Sequence, residues 1–95
     1  MSRTINAALI GCGMIADTHL TALRNAGADV IGVYDQNLER AADFANMRGM
    51  HVYESMEALL SDDIEIVSVC TPSGTHASLA MTLKEHGKHV IVEKP

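Results

Sequence analysis

The chain has 95 residues, 47% of them hydrophobic, and a formal net charge of −5 at pH 7. This composition predicts one packed domain, and the acidic balance argues against nucleic acid and anionic membranes as partners. We expect no membrane span and no signal peptide, and two cysteines without metal-ligand spacing predict reduced thiols in a cytoplasmic protein.

A glycine-rich turn follows the first predicted strand, which covers about residues 5–10, and opens a helix expected over about residues 14–26. It reads Gly11-Cys12-Gly13-Met14-Ile15-Ala16. The first glycine suits a sharp turn, the second lets the backbone approach a pyrophosphate, and the alanine still allows close helix–strand packing. The N–H groups at the start of the helix would attract phosphates. We therefore predict a dinucleotide-binding turn made of Gly11, Cys12, Gly13, Met14 and Ile15.

The acidic partner of this turn is Asp35, which closes a second predicted strand over residues 29–34. Its carboxylate would accept hydrogen bonds from the adenosine ribose hydroxyls and would repel a 2′-phosphate, so we expect NAD rather than NADP. The alternative is an ordinary turn that binds nothing, because glycine pairs also occur by chance. The combined spacing of strand, turn, helix, strand and acid favours nucleotide binding.

The rest of the chain continues the alternation of helices and strands. A helix is expected from near Asn37, a short strand at 51–53, a brief helix capped by Ser55, a strand at 64–70, a helix at about 75–86 and a strand at 89–92. Five strands with helical crossovers predict an α/β fold, a Rossmann-type doubly wound parallel sheet in the order 3-2-1-4-5. The first and fourth strands are then neighbours, and residues 11–15, 71–76 and 93–95 gather at one rim.

Other polar residues have simpler interpretations. The five histidines lack a coherent ligand spacing, so we expect no metal site, and His19 is expected to pack or cap rather than react. Cys12 and Cys70 are expected to be two thiols rather than a disulfide. The pair Asp62-Asp63 is expected to form a solvated turn.

Four stretches resemble the N-terminal domain of the Gfo/Idh/MocA family, named after glucose-fructose oxidoreductase and inositol dehydrogenase. They are the glycine turn with His19, the pair Tyr34-Asp35, the segment 70–76 and the segment 87–95, whose Glu-Lys-Pro ending is the most specific. The resemblance spans the whole chain. It implies hydride transfer between NAD and a hydroxyl of a sugar, cyclitol or related polyol substrate.

The resemblance also implies roles for individual residues. Lys94 would be catalytic, touching both the cofactor and the substrate hydroxyl, Glu93 would contact the nicotinamide ribose, and Arg40 would lie over the adenine end. An ammonium suits this role because it can donate a hydrogen bond to a developing alkoxide. The cofactor site would further be lined by Thr71, Pro72, Ser73 and His76.

Family members continue into a second domain that binds substrate and usually mediates oligomerisation. The resemblance therefore implies that residues 1–95 are the dinucleotide-binding domain of a homo-oligomeric enzyme, truncated before that domain's last helix and strand. A free-standing nucleotide-binding or sensing module without catalysis is the alternative. Lys94 argues for the enzyme, because a sensor has no need of a lysine that faces substrate.

Overall fold

In the computed structural model of the chain the described residues are 4–13, 15–71 and 76–92, without the side chains of residues 76 and 77. Strands and helices alternate throughout these segments. The elements are β1 (Asn6–Ile10), α1 (Ala16–Asn25), β2 (Asp29–Tyr34), α2 (Leu38–Arg48), β3 (His51–Val52), α3 (Met56–Ser61), β4 (Ile66–Val69), α4 (His76–Glu85) and β5 (His89–Val92).

The strands form one parallel sheet in the order β3-β2-β1-β4-β5, which confirms the predicted fold and strand order. Ile10 at the end of β1 is level with Tyr34 in β2 and with Val69 in β4, and Val69 is level with Val92 in β5. The carboxyl ends of these four strands therefore meet at one edge of the sheet. In a doubly wound sheet this edge, where the strand order reverses, is where ligands bind.

Two apolar clusters cover the sheet because successive β1 side chains point to opposite faces. Ala7 and Leu9 belong to a cluster with residues of α1 and α2, whereas Ala8 and Ile10 belong to a cluster with residues of α3 and α4. The largest side chains that are fully buried include Leu9, Ile10, Leu59, Leu83 and Val33. Aliphatic residues thus form most of this core, as buried parallel strands require.

The predicted element bounds were wrong by one or two residues at several ends. β4 covers four residues rather than 64–70, because its ladder with β1 extends only from Ile66 to Val69. β1 starts at Asn6, β3 ends at Val52 and α1 starts at Ala16. The predicted helix starts at Met14 and Thr75 lie outside the described residues.

The starts of α2 and α3 are both capped, at Ser55 as predicted and also at Asn37, which was predicted only as the start of its helix. The Asn37 side chain accepts a hydrogen bond from the N–H of Arg40, and Ser55 Oγ accepts one from the N–H of Ala58, both at 3.1 Å. Such caps satisfy N–H groups that the first helical turn leaves unpaired. They define where each helix begins.

The acidic pair that precedes β4 is exposed, as predicted, but it does more than face solvent. Tyr53 Oη donates a hydrogen bond to Asp62 Oδ2 at 2.6 Å, and Lys88 Nζ donates one to the Asp62 carbonyl at 3.0 Å. These contacts tie the α3–β4 turn to the residue after β3 and to the start of β5. None of the helices in the described segments has the length and apolar character needed to cross a lipid bilayer.

Candidate functional site

Gly11 turns the chain out of β1 and is tightly enclosed by the protein itself. Its φ is +95°, which residues with a side chain rarely adopt, and its N–H donates to the Tyr34 carbonyl at 2.7 Å. A Cβ atom at this position would lie 2.9 Å from the carbonyl carbon of Cys70 and 3.0 Å from Cγ2 of Thr71. The fold alone therefore requires glycine here.

Gly13 differs from Gly11 because nothing in the described protein encloses it. Leaving aside its chain neighbours, no described heavy atom would lie within 4 Å of an added Cβ, and its φ is not in the left-handed region. The described part of the chain does not need glycine here for its own packing. The open space in front of Gly13 is room for a ligand close to the backbone.

The helix that begins beside Gly13 lacks a side-chain cap. Its N-cap residue is Ile15, and among the described residues no side chain accepts a hydrogen bond there, in contrast to α2 and α3. Uncapped N–H groups and the helix dipole together attract phosphate groups. The turn and the start of α1 therefore form a suitable site for an anion.

Asp35 joins this turn to the end of β2. It is only 9% exposed, and its Oδ2 accepts a hydrogen bond from the Cys12 N–H at 2.9 Å while Oδ1 accepts one from the Asn37 N–H at 2.8 Å. Arg40 Nη1 lies 4.0 Å from Oδ2. Because a carboxylate oxygen can accept more than one hydrogen bond, both oxygens still have acceptor capacity for ribose hydroxyls.

The Cys12 thiol is held in its neutral form. Partial burial, and next the negative charge of Asp35, raise its pKa to about 12, against a smaller opposing effect of Arg40. Cys12 and Cys70 are both thiols that are not joined in a disulfide, as predicted. A neutral thiol adds no negative charge beside the anion site.

A cleft of about 480 Å³ opens beside the turn, between α1 and α2. Sequence reasoning found three of its lining residues, Cys12, Gly13 and Arg40, and missed the other three, Asp17, Phe44 and Arg48. The spacing of four between Phe44 and Arg48 places them on one face of α2, and this much is visible in the sequence. The contact of Arg48 with Asp17 spans 31 residues and leaves no local pattern.

Arg48 is held on two sides. Its Nε and Nη2 donate to the two carboxylate oxygens of Asp17 at 2.8 and 2.6 Å, and its guanidinium carbon lies 3.9 Å from the centroid of the Phe44 ring. The hydrogen bond from Arg48 lowers the pKa of Asp17 below its ordinary value. The wall of the cleft is thus a bidentate ion pair supported by an aromatic ring.

Beneath the turn, α1 and β4 are joined by a buried polar contact. His19 Nδ1 lies within hydrogen-bond contact of Ser68 Oγ, and Ser68 is fully buried. His19 is packed in the interior, as predicted. This contact holds the helix that starts at the anion site against the strand that leads to Thr71.

The structure brings together a large part of the predicted site. Gly11, Cys12, Gly13, Asp35 and Arg40 are neighbours, with Ile15 half-buried at the start of α1 and Thr71 beside Gly11. His76 begins α4, but its side chain is outside the description. Five predicted residues also lie outside the described residues: Met14, Pro72, Ser73, Glu93 and Lys94. In the described part of the chain no three His, Cys, Asp or Glu residues form a group that could hold a metal ion.

Comparison with known proteins identifies a family of dinucleotide-binding oxidoreductases. The model of the oxidoreductase family Gfo/Idh/MocA, described as an NAD-binding Rossmann fold, matches residues 5–95. A 4-carboxy-2-hydroxymuconate-6-semialdehyde dehydrogenase from Sphingobium sp. is 37% identical over 91 residues, which are 93% of this chain and 29% of that protein. Inositol 2-dehydrogenase from Rhodococcus jostii is 33% identical over 98 residues, and the match covers 99% of this chain and 27% of that protein.

Solved structures are equally similar. The WlbA dehydrogenase from Bordetella pertussis, solved with NADH and UDP-GlcNAcA, matches with a TM-score of 0.89 and 30% identity over 98% of this chain and 29% of its own. Other similar proteins are described with NAD or with NADP. The chain spans 27% to 29% of the length of these three relatives.

Proposed function

The chain belongs to the Gfo/Idh/MocA family of oxidoreductases, and we propose that it is the NAD-binding part of a dehydrogenase that oxidises a sugar, cyclitol or related polyol hydroxyl. The pyrophosphate lies against Gly13 and the start of α1, and the adenosine ribose hydroxyls donate to Asp35. When bound, NAD supplies the acceptor for the hydride.

The contrast between the two glycines supports this proposal most directly. Gly11 is enclosed by the carbonyl of Cys70, whereas Gly13 faces open space at an uncapped helix start. A turn that bound nothing would have no use for a second glycine, because the described part of the chain leaves room for a Cβ there. Asp35, buried and hydrogen-bonded to the same turn, supplies the acceptor that a ribose needs.

The nicotinamide end is proposed to lie over β4 and β5. These strands end level with β1, and the segments that follow them in the sequence contain Thr71, Pro72, Ser73 and His76 after β4, and Glu93 and Lys94 after β5. Lys94 donates a hydrogen bond to the reacting oxygen of the substrate, and Glu93 accepts from the nicotinamide ribose. Lys94 thereby stabilises the negative charge that develops on that oxygen as its carbon gives up a hydride.

The proposed substrate class comes from two of the relatives. Inositol 2-dehydrogenase is named for a cyclitol, and the WlbA dehydrogenase was solved with UDP-GlcNAcA. Both names describe polyhydroxylated rings with a secondary hydroxyl. We propose a substrate of this chemical class for the protein to which the chain contributes the cofactor site.

Titration calorimetry with NAD tests the adenosine end of the site. Wild type should bind NAD, and Gly13→Val should abolish binding with an unchanged circular dichroism spectrum, because the new side chain occupies the space of the pyrophosphate. Ala42→Val is the matched control, since it also introduces a valine, at an exposed position of α2. Retained NAD affinity in folded Gly13→Val would refute the proposal.

The nicotinamide end is tested by comparing NADH with ADP-ribose, which lacks the nicotinamide. Lys94→Met should weaken NADH binding and leave ADP-ribose binding unchanged, whereas Gly13→Val should weaken both. Lys84→Met, which removes an exposed lysine at the end of α4, serves as the control and should alter neither. An equal loss of affinity for NADH and for ADP-ribose in Lys94→Met would contradict the assignment of Lys94 to the nicotinamide end.

A further inference from the structure

Two arginines line the cleft beside Asp35, and they are held very differently. The Arg40 side chain is 57% exposed and its Nη1 lies 4.0 Å from Asp35 Oδ2, whereas the Arg48 side chain is 21% exposed. Arg48 donates to both oxygens of Asp17 and, through Nη1, to the Phe44 carbonyl at 3.1 Å. Each of the three guanidinium nitrogens of Arg48 therefore donates one hydrogen bond to the walls of the cleft.

The cleft is also the place where a phosphate on the adenosine 2′ oxygen would lie. Asp35 is the acceptor for that hydroxyl, and Arg40, which approaches its carboxylate, lines the cleft. A volume of about 480 Å³ leaves ample space for a phosphate group. The lining has two positive charges, Arg40 and Arg48, and one negative charge, Asp17, and the Asp35 carboxylate lies next to Arg40, so the surroundings are close to neutral.

We propose that Asp17 is a second determinant of NAD over NADP specificity, acting as a positioning residue through Arg48. By holding the guanidinium in a bidentate pair, Asp17 withholds from a 2′-phosphate a cation that lines the same cleft, and it adds a negative charge to that cleft. This inference rests on the proposed binding of NAD. It assigns a binding role to an acidic residue that the glycine motif does not include.

The pair lies at a position where its charge matters for binding. Asp17 is in the first turn of α1, the helix whose uncapped N–H groups face the proposed pyrophosphate site. An unpaired carboxylate there would repel phosphate groups, whereas a carboxylate paired with a guanidinium does so much less. The pair thus spares the pyrophosphate of NAD, while the guanidinium that it engages is withheld from the additional phosphate of NADP.

Titrations with NAD and NADP test this in two variants, Asp17→Asn and Asp17→Ala. The alanine variant is needed because asparagine keeps one oxygen that can still accept a hydrogen bond from Arg48. The ratio of NADP to NAD affinity should rise about ten-fold or more in Asp17→Ala, since a released guanidinium forms a charge-assisted hydrogen bond with the phosphate. This gain in relative NADP affinity should become smaller as the salt concentration is raised. Glu57→Gln is the matched control, because it removes a carboxylate from the first turn of α3.

The double variant Asp17→Ala/Arg48→Met separates the two effects of Asp17. It should lose most of the gain in NADP affinity, because the released cation is no longer present. An unchanged ratio in both single variants would overturn the inference, as would a gain fully retained in the double variant. Failure of the wild-type chain to bind NAD is a different result, seen before any variant is made, and it would overturn the proposed function itself.

Discussion

The carboxylate of Asp35 accepts a hydrogen bond from the backbone N–H of Cys12 at 2.9 Å, across 23 residues of sequence. This single bond joins the glycine turn after β1 to the end of β2. The other oxygen of Asp35 accepts from the Asn37 N–H, so the carboxylate also shapes the start of α2. The residue proposed to bind the ribose is thus also the residue that holds the glycine turn, the proposed pyrophosphate site, in register.

Asp35→Ser should lower the preference for NAD over NADP by about ten-fold or more. Two charges about 4 Å apart at an effective dielectric near 20 repel by about 4 kcal/mol at most, and solvent reduces this value. Calorimetric titration with both cofactors measures the ratio, and Asp43→Ser controls for the loss of an exposed acid on α2. An unchanged ratio in Asp35→Ser would show that this carboxylate does not face the 2′ position.

Substitution by alanine should affect stability strongly at Gly11 and weakly at Gly13. Gly11→Ala should lower the free energy of unfolding by at least about 2 kcal/mol, through its left-handed φ and the contact with the Cys70 carbonyl. Gly13→Ala should change it by less than about 1 kcal/mol, because no described atom opposes the new methyl group. Urea denaturation measures both, and equal destabilisation would contradict this division of roles.

The fold was predictable because its signals are local. Apolar strands, the glycine at position 27 after α1 and the caps Asn37 and Ser55 each depend on a few adjacent residues. The lengths of the strands were less predictable. β4 ends where β1 stops pairing with it, so its bounds depend on a partner strand that is more than 50 residues away in the sequence.

The candidate site also has a part that local sequence signals predict and a part that they do not. The turn and Asp35 were predictable, since the glycine spacing and the acid after β2 form a known pattern. The pairs Asp17–Arg48 and His19–Ser68 span 31 and 49 residues, and they exist only because α1 packs against α2 and β4. Propensity and periodicity contain no information about which residues of two distant elements will meet.

The side chains of His19 and Ser68 should be energetically coupled. Ser68→Ala should destabilise the chain by about 1–3 kcal/mol, because the buried imidazole loses a polar partner. A double-mutant cycle with His19→Ala should give a coupling energy of about 0.5–3 kcal/mol. Ser78→Ala, at an exposed position of α4, is the control, and additive effects at positions 19 and 68 would argue against the contact.

The neutral thiol of Cys12 makes stability depend on alkaline pH. Its pKa is about 9 in the unfolded chain and is raised to about 12 in the folded one, mainly by partial burial and then by Asp35. Above pH 9 the unfolded chain therefore binds fewer protons than the folded chain, and stability falls as pH rises through this range. Below pH 9 the contribution is fully present.

Urea denaturation between about pH 8 and pH 10 should therefore show a steeper loss of stability for wild type than for Cys12→Ala. Tyr53 is the necessary comparison, because burial, and next its hydrogen bond to Asp62, also raise the pKa of its phenol. An ordinary phenol titrates near pH 10, so Tyr53→Phe should leave the slope below about pH 9.5 unchanged. Parallel slopes for wild type and Cys12→Ala would mean that the thiol is not shielded, and that Asp35 does not act on it.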